Sequence, residues 1–278
     1  MHSSKSVGTL LAEMLMVRAG GWKGVFLIVE GADDVCFWRL HVKIGAEALV
    51  NSEGVRNLQE CMRSLPASLK GDVCAVADWD FRDFLVTDPF AGCSDIFFYD
   101  EGFLETFLVN TVALNKVLVV HSDNHRIASF LAESMCQSIG AHLRRVASVF
   151  GRLRVLNERN GWGLSFERNF TVHRYMKYDE WNVDEPRLIS DFAAASGSPA
   201  ALIRSEYSSI GEFNDFRLAH GHDILKIVSI GLARRIGNVA VGSRTLLLNL
   251  CLAFESVSLQ KKKLFGHLRS WAGARELI

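Results

Sequence analysis

Proline is scarce in this chain, with 4 in 278 residues, and no stretch is of low complexity or repeats itself. That composition excludes a proline-rich linker, a fibre and a repeat array, and leaves an ordinary globular protein. Long hydrophobic runs are missing too. The longest, TLLLNLCLAF at Thr245 to Phe254, is about half the ~20 residues needed to cross a bilayer and contains Asn249, so it predicts a buried helix. The N-terminal segment has an apolar face at helical spacing, broken by Glu13 and closed by Gly20 and Gly21. It predicts a helix and its stop, not a targeting peptide, and the expected setting is the cytoplasm with no membrane partner.

The six cysteines form no CxxC pair and have no partnered histidine spacing, so reduced core thiols are expected in place of a zinc site or disulfide framework. GxxxxGK[ST] is absent, so any ATP hydrolysis must come from a partner. Net charge is zero, which argues against coating nucleic acid by bulk charge. The balance is uneven, however: residues 1–110 hold 9 Lys+Arg against 16 Asp+Glu, and residues 111–278 hold 22 against 15. An acidic lobe joined to a basic one suits a polyanion held beside an acidic metal site, or is simply a chance segregation.

What the chain does have is a set of apolar runs that stop at carboxylates. VFLIVEGADD, at Val25 to Asp34, predicts a strand buried on both faces that ends at Glu30 and leads into a helix over about Asp33–Ile44. Val35, Trp38 and Val42 share one face of that helix, and Asp33 and Asp34 sit in its first turn at the positive end of the dipole. A second helix, about Val55–Leu65, precedes DVCAVADWD, a strand ending at Asp78. DIFFYDE repeats the design with Asp100 and Glu101. Strands separated by helices predict an open α/β fold whose parallel sheet is flanked by helices. Helical patterns then take over, at about 124–150, 184–195, 222–236, 244–255 and 262–278, and predict a mainly helical C-terminal lobe. The expected domains are 1–115 and 116–278.

In such sheets ligands bind along the edge formed by the carboxyl ends of the strands. If the strand runs on through Asp78 and Asp80, their side chains leave one face about 6.5 Å apart. Two ionised carboxylates at that distance repel by roughly 2.5 kcal/mol at an effective dielectric near 20, unless a cation lies between them. Oxygen-only donors favour Mg²⁺ or Mn²⁺, with Glu30 as a further ligand or a general acid/base. The blander reading makes DWD a solvated turn and Glu30 a helix cap.

LIVEGADD followed by AVADWD resembles the Toprim domain of topoisomerases, primases and several nucleases. The resemblance implies a Toprim-like parallel sheet, Mg²⁺-assisted phosphodiester chemistry, Glu30 as the catalytic glutamate, and Asp78 and Asp80 as the metal-binding pair. VEGADDVCFW, VADWDF, LETFL at Leu104 to Leu108 and HGHDIL at His220 to Leu225 are similar in order and spacing to the AriB-type effectors of the PARIS anti-phage defence system. That narrower resemblance implies a toxic endonuclease restrained by an ABC-type ATPase, which on release forms a homodimer and cleaves transfer RNA. The family pattern often has an acidic residue directly before the leucine-glutamate pair, where this chain has Phe103. Asp100 and Glu101 are the candidates to take its place, and Asp34 and Glu105 are supporting candidates.

HGHD brings His220 and His222 beside Asp223, enough for a general base, a phosphate contact or a metal ligand, yet it also reads as an ordinary helix start. Arg144, Arg145, Arg152 and Arg154, with Trp162 close behind, suit a nucleic-acid groove or a solvated helix face. HSDNH at His121 to His125 predicts a helix entry, and KKK at Lys261 to Lys263 a helix start with exposed lysines. Cleavage of DNA, and a non-catalytic module that docks to an ATPase, are the competing readings.

Overall fold

In the structure, a computed structural model, residues 5–41, 49–85, 90–211 and 216–273 are described. In chain order the elements are α1 (Val7–Ala19), β1 (Phe26–Val29), α2 (Ala32–His41), β2 (Leu49–Asn51), α3 (Val55–Arg63) and β3 (Val73–Ala77). A 3-10 turn at Arg82–Phe84 precedes β4 (Ile96–Phe98), α4 (Leu104–Val109), α5 (Val112–His121), α6 (Asn124–Ser134) and α7 (Ile139–Asn160). Then come α8 (Val172–Tyr175), a small antiparallel ladder of β5 (Met176–Lys177) and β6 (Asn182–Val183), α9 (Glu185–Ser196) and α10 (Ala200–Ser209). The chain closes with α11 (Gly221–Arg234), α12 (Ser243–Ala253), α13 (Ser256–Leu259) and α14 (Lys263–Ala272).

The fold is α/β. Among the described residues its main sheet has four parallel strands in the order β2-β1-β3-β4. Two compact units divide the chain: the first takes Met1–Trp79, Asp88–Leu104 and Phe254–Ile278, the second Asp80–Thr87 and Glu105–Ala253. The expected single division near residue 115 does not describe this interleaving, because α14 returns to the first unit.

In the first unit β1 lies between two neighbours and all four of its residues are buried, which is why its sequence lacks polar alternation. Leu10 and Met14 of α1 and Leu58 and Cys61 of α3 join Phe26, Ile28, Val73 and Ala75 in one core. Burial of each large side chain there contributes about 1.5–3 kcal/mol. The strand β2 was not expected: three residues inside ALVNSEG are too short for a period to emerge. Val42, placed by the helical pattern on the buried face of α2, lies outside the described residues.

In the second unit α7 carries twelve buried residues out of 22, so it is packed on more than one side. At Gly151 it meets the backbone at Leu218 so closely that a Cβ would fall 1.5 Å from the carbonyl oxygen, and only glycine fits. The single helix expected over 124–150 is two. Met135 takes a left-handed φ of 52°, and Ser138 restarts the chain as N-cap of α7, its side chain accepting from the Ala141 amide at 3.1 Å. The long apolar run forms α12 as expected, with Leu246, Leu247, Leu250 and Cys251 buried, although Leu252 is 70% exposed. Among the described residues no helix is long and apolar enough to cross a membrane.

Candidate functional site

The first unit brings Glu30 and Asp78 to the carboxyl ends of adjacent strands. Register pairs Val29 with Val76, so the two chains leave the sheet together, and Glu30 Oε2 accepts from the Asp78 amide at 3.5 Å. Asp78 Oδ1 in turn accepts from the Leu104 amide at 3.2 Å. Both residues are half-buried. The carbonyl of Glu30 is fixed as well, accepting from the Gly54 amide at 2.9 Å and from Ser52 Oγ at 3.3 Å.

Asp34 belongs to the same unit. It stands three residues into α2 and its Oδ2 accepts from the Gly31 amide at 3.1 Å, half of a capping box. Its Oδ1 accepts from the Tyr99 hydroxyl at 2.6 Å. The residue is half-buried but its carboxyl is enclosed by protein, and that desolvation pushes its pKa up to about 6 against the opposing bonds from Tyr99 and Gly31.

Asp78 and Asp80 do not leave one strand face. Ladder pairing stops at Ala77, the Trp79 amide turns to the Gly102 carbonyl at 2.6 Å, and Asp80 and Phe81 follow with φ of 46° and 60°. Two successive left-handed residues that are not glycine turn the chain into the 3-10 turn and cost on the order of 1–3 kcal/mol each. Asp80 belongs to the second unit. Burial and then the charge of Glu158 raise its pKa, while Arg154 and Arg82 oppose the shift.

Asp100 is committed elsewhere in the first unit: its two oxygens accept from the amides of Lys263 and Leu264, at 2.7 and 2.8 Å, so it caps α14. Next to it Glu101 is ion-paired with Lys262. The lysine run therefore does start a helix, but Lys262 is not a free surface charge; its side chain is only 14% exposed.

In the second unit Glu105 is buried at the start of α4. Gly221 lies against it, a Cβ there falling 2.0 Å from Glu105 Oε2, and His222 Nε2 stands 3.5 Å from Oε1. His220 is the N-cap of α11, as the helix-start reading expects, and its ring stacks on Phe81. Burial, and then Arg154, hold its pKa well below the ordinary range.

The four candidate arginines do not form one groove. Along α7, Arg145 and Arg152 share a face and Arg154 points roughly the opposite way, at about 100° per residue. Arg144 lies over Phe216, Arg152 over Tyr207, and Arg154 is bound to Asp223; Arg145 is the exposed one of the four. Trp162 packs edge-on against Phe192. Asp123 caps α6, so HSDNH is the helix entry expected.

Among the described residues no group of three or more His, Cys, Asp or Glu side chains is gathered to hold a metal. Glu30 and Asp78 nevertheless fit Mg²⁺, which keeps several waters and is commonly bound through one or two carboxylates plus substrate phosphates. Tyr99 is the residue of this cluster that the sequence does not single out, its only signal being a tyrosine at a strand end, and the pairing of Asp223 with Arg154, 69 residues away, carries no sequence signal. No protein-family model matches the chain, and no curated protein matches it.

Proposed function

We propose that the chain is a Mg²⁺-dependent, Toprim-type endonuclease that acts as the toxic effector of a bacterial anti-phage system, cleaving RNA, transfer RNA above all, once an ABC-type ATPase releases it. One observation carries the chemical part: two half-buried carboxylates, Glu30 and Asp78, lie at adjacent carboxyl ends of parallel strands, linked through the Asp78 amide. That edge is where open parallel sheets bind ligands. The defence setting, the ATPase and an active homodimer rest on the motif resemblance.

Glu30 and Asp78 would hold the ion; the motif resemblance names Asp80 as the other carboxylate of DxD. A bound Mg²⁺ supplies charge neutralisation at the scissile phosphate. Glu30 completes the ion's ligands or accepts the proton of the attacking nucleophile.

The test compares RNA integrity in cells briefly expressing the wild type or Glu30→Ala, with purified protein assayed with and without Mg²⁺. Discrete RNA cuts that require both Glu30 and the metal support the reading. DNA breaks with intact RNA reassign the substrate. A cellular effect that survives Glu30→Ala replaces the nuclease by a regulatory module.

A further inference from the structure

A chain of hydrogen bonds inside the first unit ends at the peptide that follows Glu30. Trp38, fully buried on α2, donates Nε1–H to the Tyr99 hydroxyl at 3.0 Å. Tyr99, 2% exposed just past β4, donates to Asp34 Oδ1 at 2.6 Å. Asp34 Oδ2 takes the Gly31 amide at 3.1 Å. The peptide joining Glu30 to Gly31 is thus held at both ends: its N–H by Asp34, and its carbonyl by the Gly54 amide and Ser52 Oγ. A peptide unit is planar, so holding both its polar groups fixes the direction in which the Glu30 backbone launches its side chain.

A capping box alone would need only Asp34 and Gly31. Here the second oxygen of the same carboxylate is taken by a buried phenol 65 residues away, just past β4, and that phenol is itself pinned by an indole. Trp38 and Tyr99 also stack, with ring centroids 6.5 Å apart. The arrangement leaves the Asp34 carboxylate one orientation, which helix capping does not require.

We infer that Tyr99 and Asp34 are positioning residues for Glu30, with Trp38 holding Tyr99 in place. The inference rests on the proposed role of Glu30 and adds the device that aims it. Removing the Tyr99 hydroxyl leaves the aromatic volume intact and frees the Asp34 carboxylate to rotate. The Gly31 amide then loses its fixed acceptor, and the Glu30 carboxylate spends less time against the Asp78 amide.

The test uses full-length Tyr99→Phe, with Met14→Ala as a control that loosens the first unit where α1 packs on Phe26 and Ile28, a cluster separate from Trp38 and Tyr99. Four quantities are read: amide hydrogen exchange at Gly31, Mn²⁺ affinity, and kcat and KM for RNA cleavage. The expected result for Tyr99→Phe is Gly31 exchange faster by at least about tenfold and kcat lower by roughly 10- to 100-fold with KM within about twofold, the range that misplacing a catalytic group produces. Met14→Ala, matched in melting temperature, should leave Gly31 exchange and kcat near wild type. Unchanged Gly31 exchange in Tyr99→Phe overturns the inference, and so does an unchanged kcat where Glu30→Ala abolishes cleavage. If the wild type cuts no RNA or DNA, the nuclease reading fails by itself, and Mn²⁺ affinity decides the positioning: a weakened affinity in Tyr99→Phe upholds it, an unchanged one sinks it.

Discussion

Arg154 and Asp223 meet in a two-pronged ion pair, Nε to Oδ2 at 2.9 Å and a terminal nitrogen to Oδ1 at 3.0 Å. The pair is largely out of water, with side chains 16% and 3% exposed, and the guanidinium also lies over the Phe166 ring at 4.4 Å. Removing one partner strands the other. Asp223→Ala should therefore cost about 3–5 kcal/mol, read as a fall in urea midpoint at constant slope. Arg154→Ala should show a comparable loss. A substitution at Arg154 that weakened nucleic-acid binding while leaving the urea midpoint unchanged would show that its main partner is phosphate and not Asp223.

Asp100 gives a prediction of the opposite kind. With both carboxylate oxygens on the first amides of α14, it acts as that helix's cap and holds it near the end of β4. Asp100→Ala should cost about 0.5–2 kcal/mol and speed proteolysis at the C-terminal helix. A direct metal ligand would behave differently: Mn²⁺ affinity would fall and the α14 region would stay protected. Equal proteolysis with weakened Mn²⁺ binding would return Asp100 to the list of metal ligands.

These two cases show where the sequence was readable. β1 and β3 are visible because buried parallel strands leave continuous apolar runs, half-buried β4 because its three residues are apolar too, and the carboxyl ends of all three because each run stops at an acid. Glu30 and Asp78 followed directly from that. Asp78 and Asp80 share a face only if β3 continues through them, and nothing in DWD announces two left-handed residues at 80 and 81. Arg154 looked like a phosphate contact because an arginine on a helix carries no mark of its partner, and Asp223 lies 69 residues away. Asp100 was read by its position at a strand end, whereas its use is set by α14, which returns from more than 160 residues along the chain. Pairings across long sequence separation are what a one-dimensional pattern cannot carry.

His142 allows a test of pH dependence. It is 1% exposed on α7, enclosed by the rings of Phe130 and Trp181 at 4.7 and 4.6 Å. Burial, and then the neighbouring Arg145, lower its pKa from 6.5 to about 4, against a raising bond from the Trp181 backbone. The unfolded chain therefore binds a proton below about 6.5 that the folded chain refuses until about 4. Stability from this residue is complete above 6.5 and is lost as pH falls from there toward 4, by up to roughly 3 kcal/mol. His220 acts in the same direction and Asp34, raised to about 6, in the opposite one, so the measurement must be a difference. His142→Phe keeps a ring in the aromatic cage and removes the titration. Urea midpoints of wild type and variant at pH 7.5 and pH 5 should then diverge, the wild type losing more on acidification. Parallel losses in the two proteins would mean that His142 takes up its proton inside the folded chain, and that its burial does not set the acid limit of this fold.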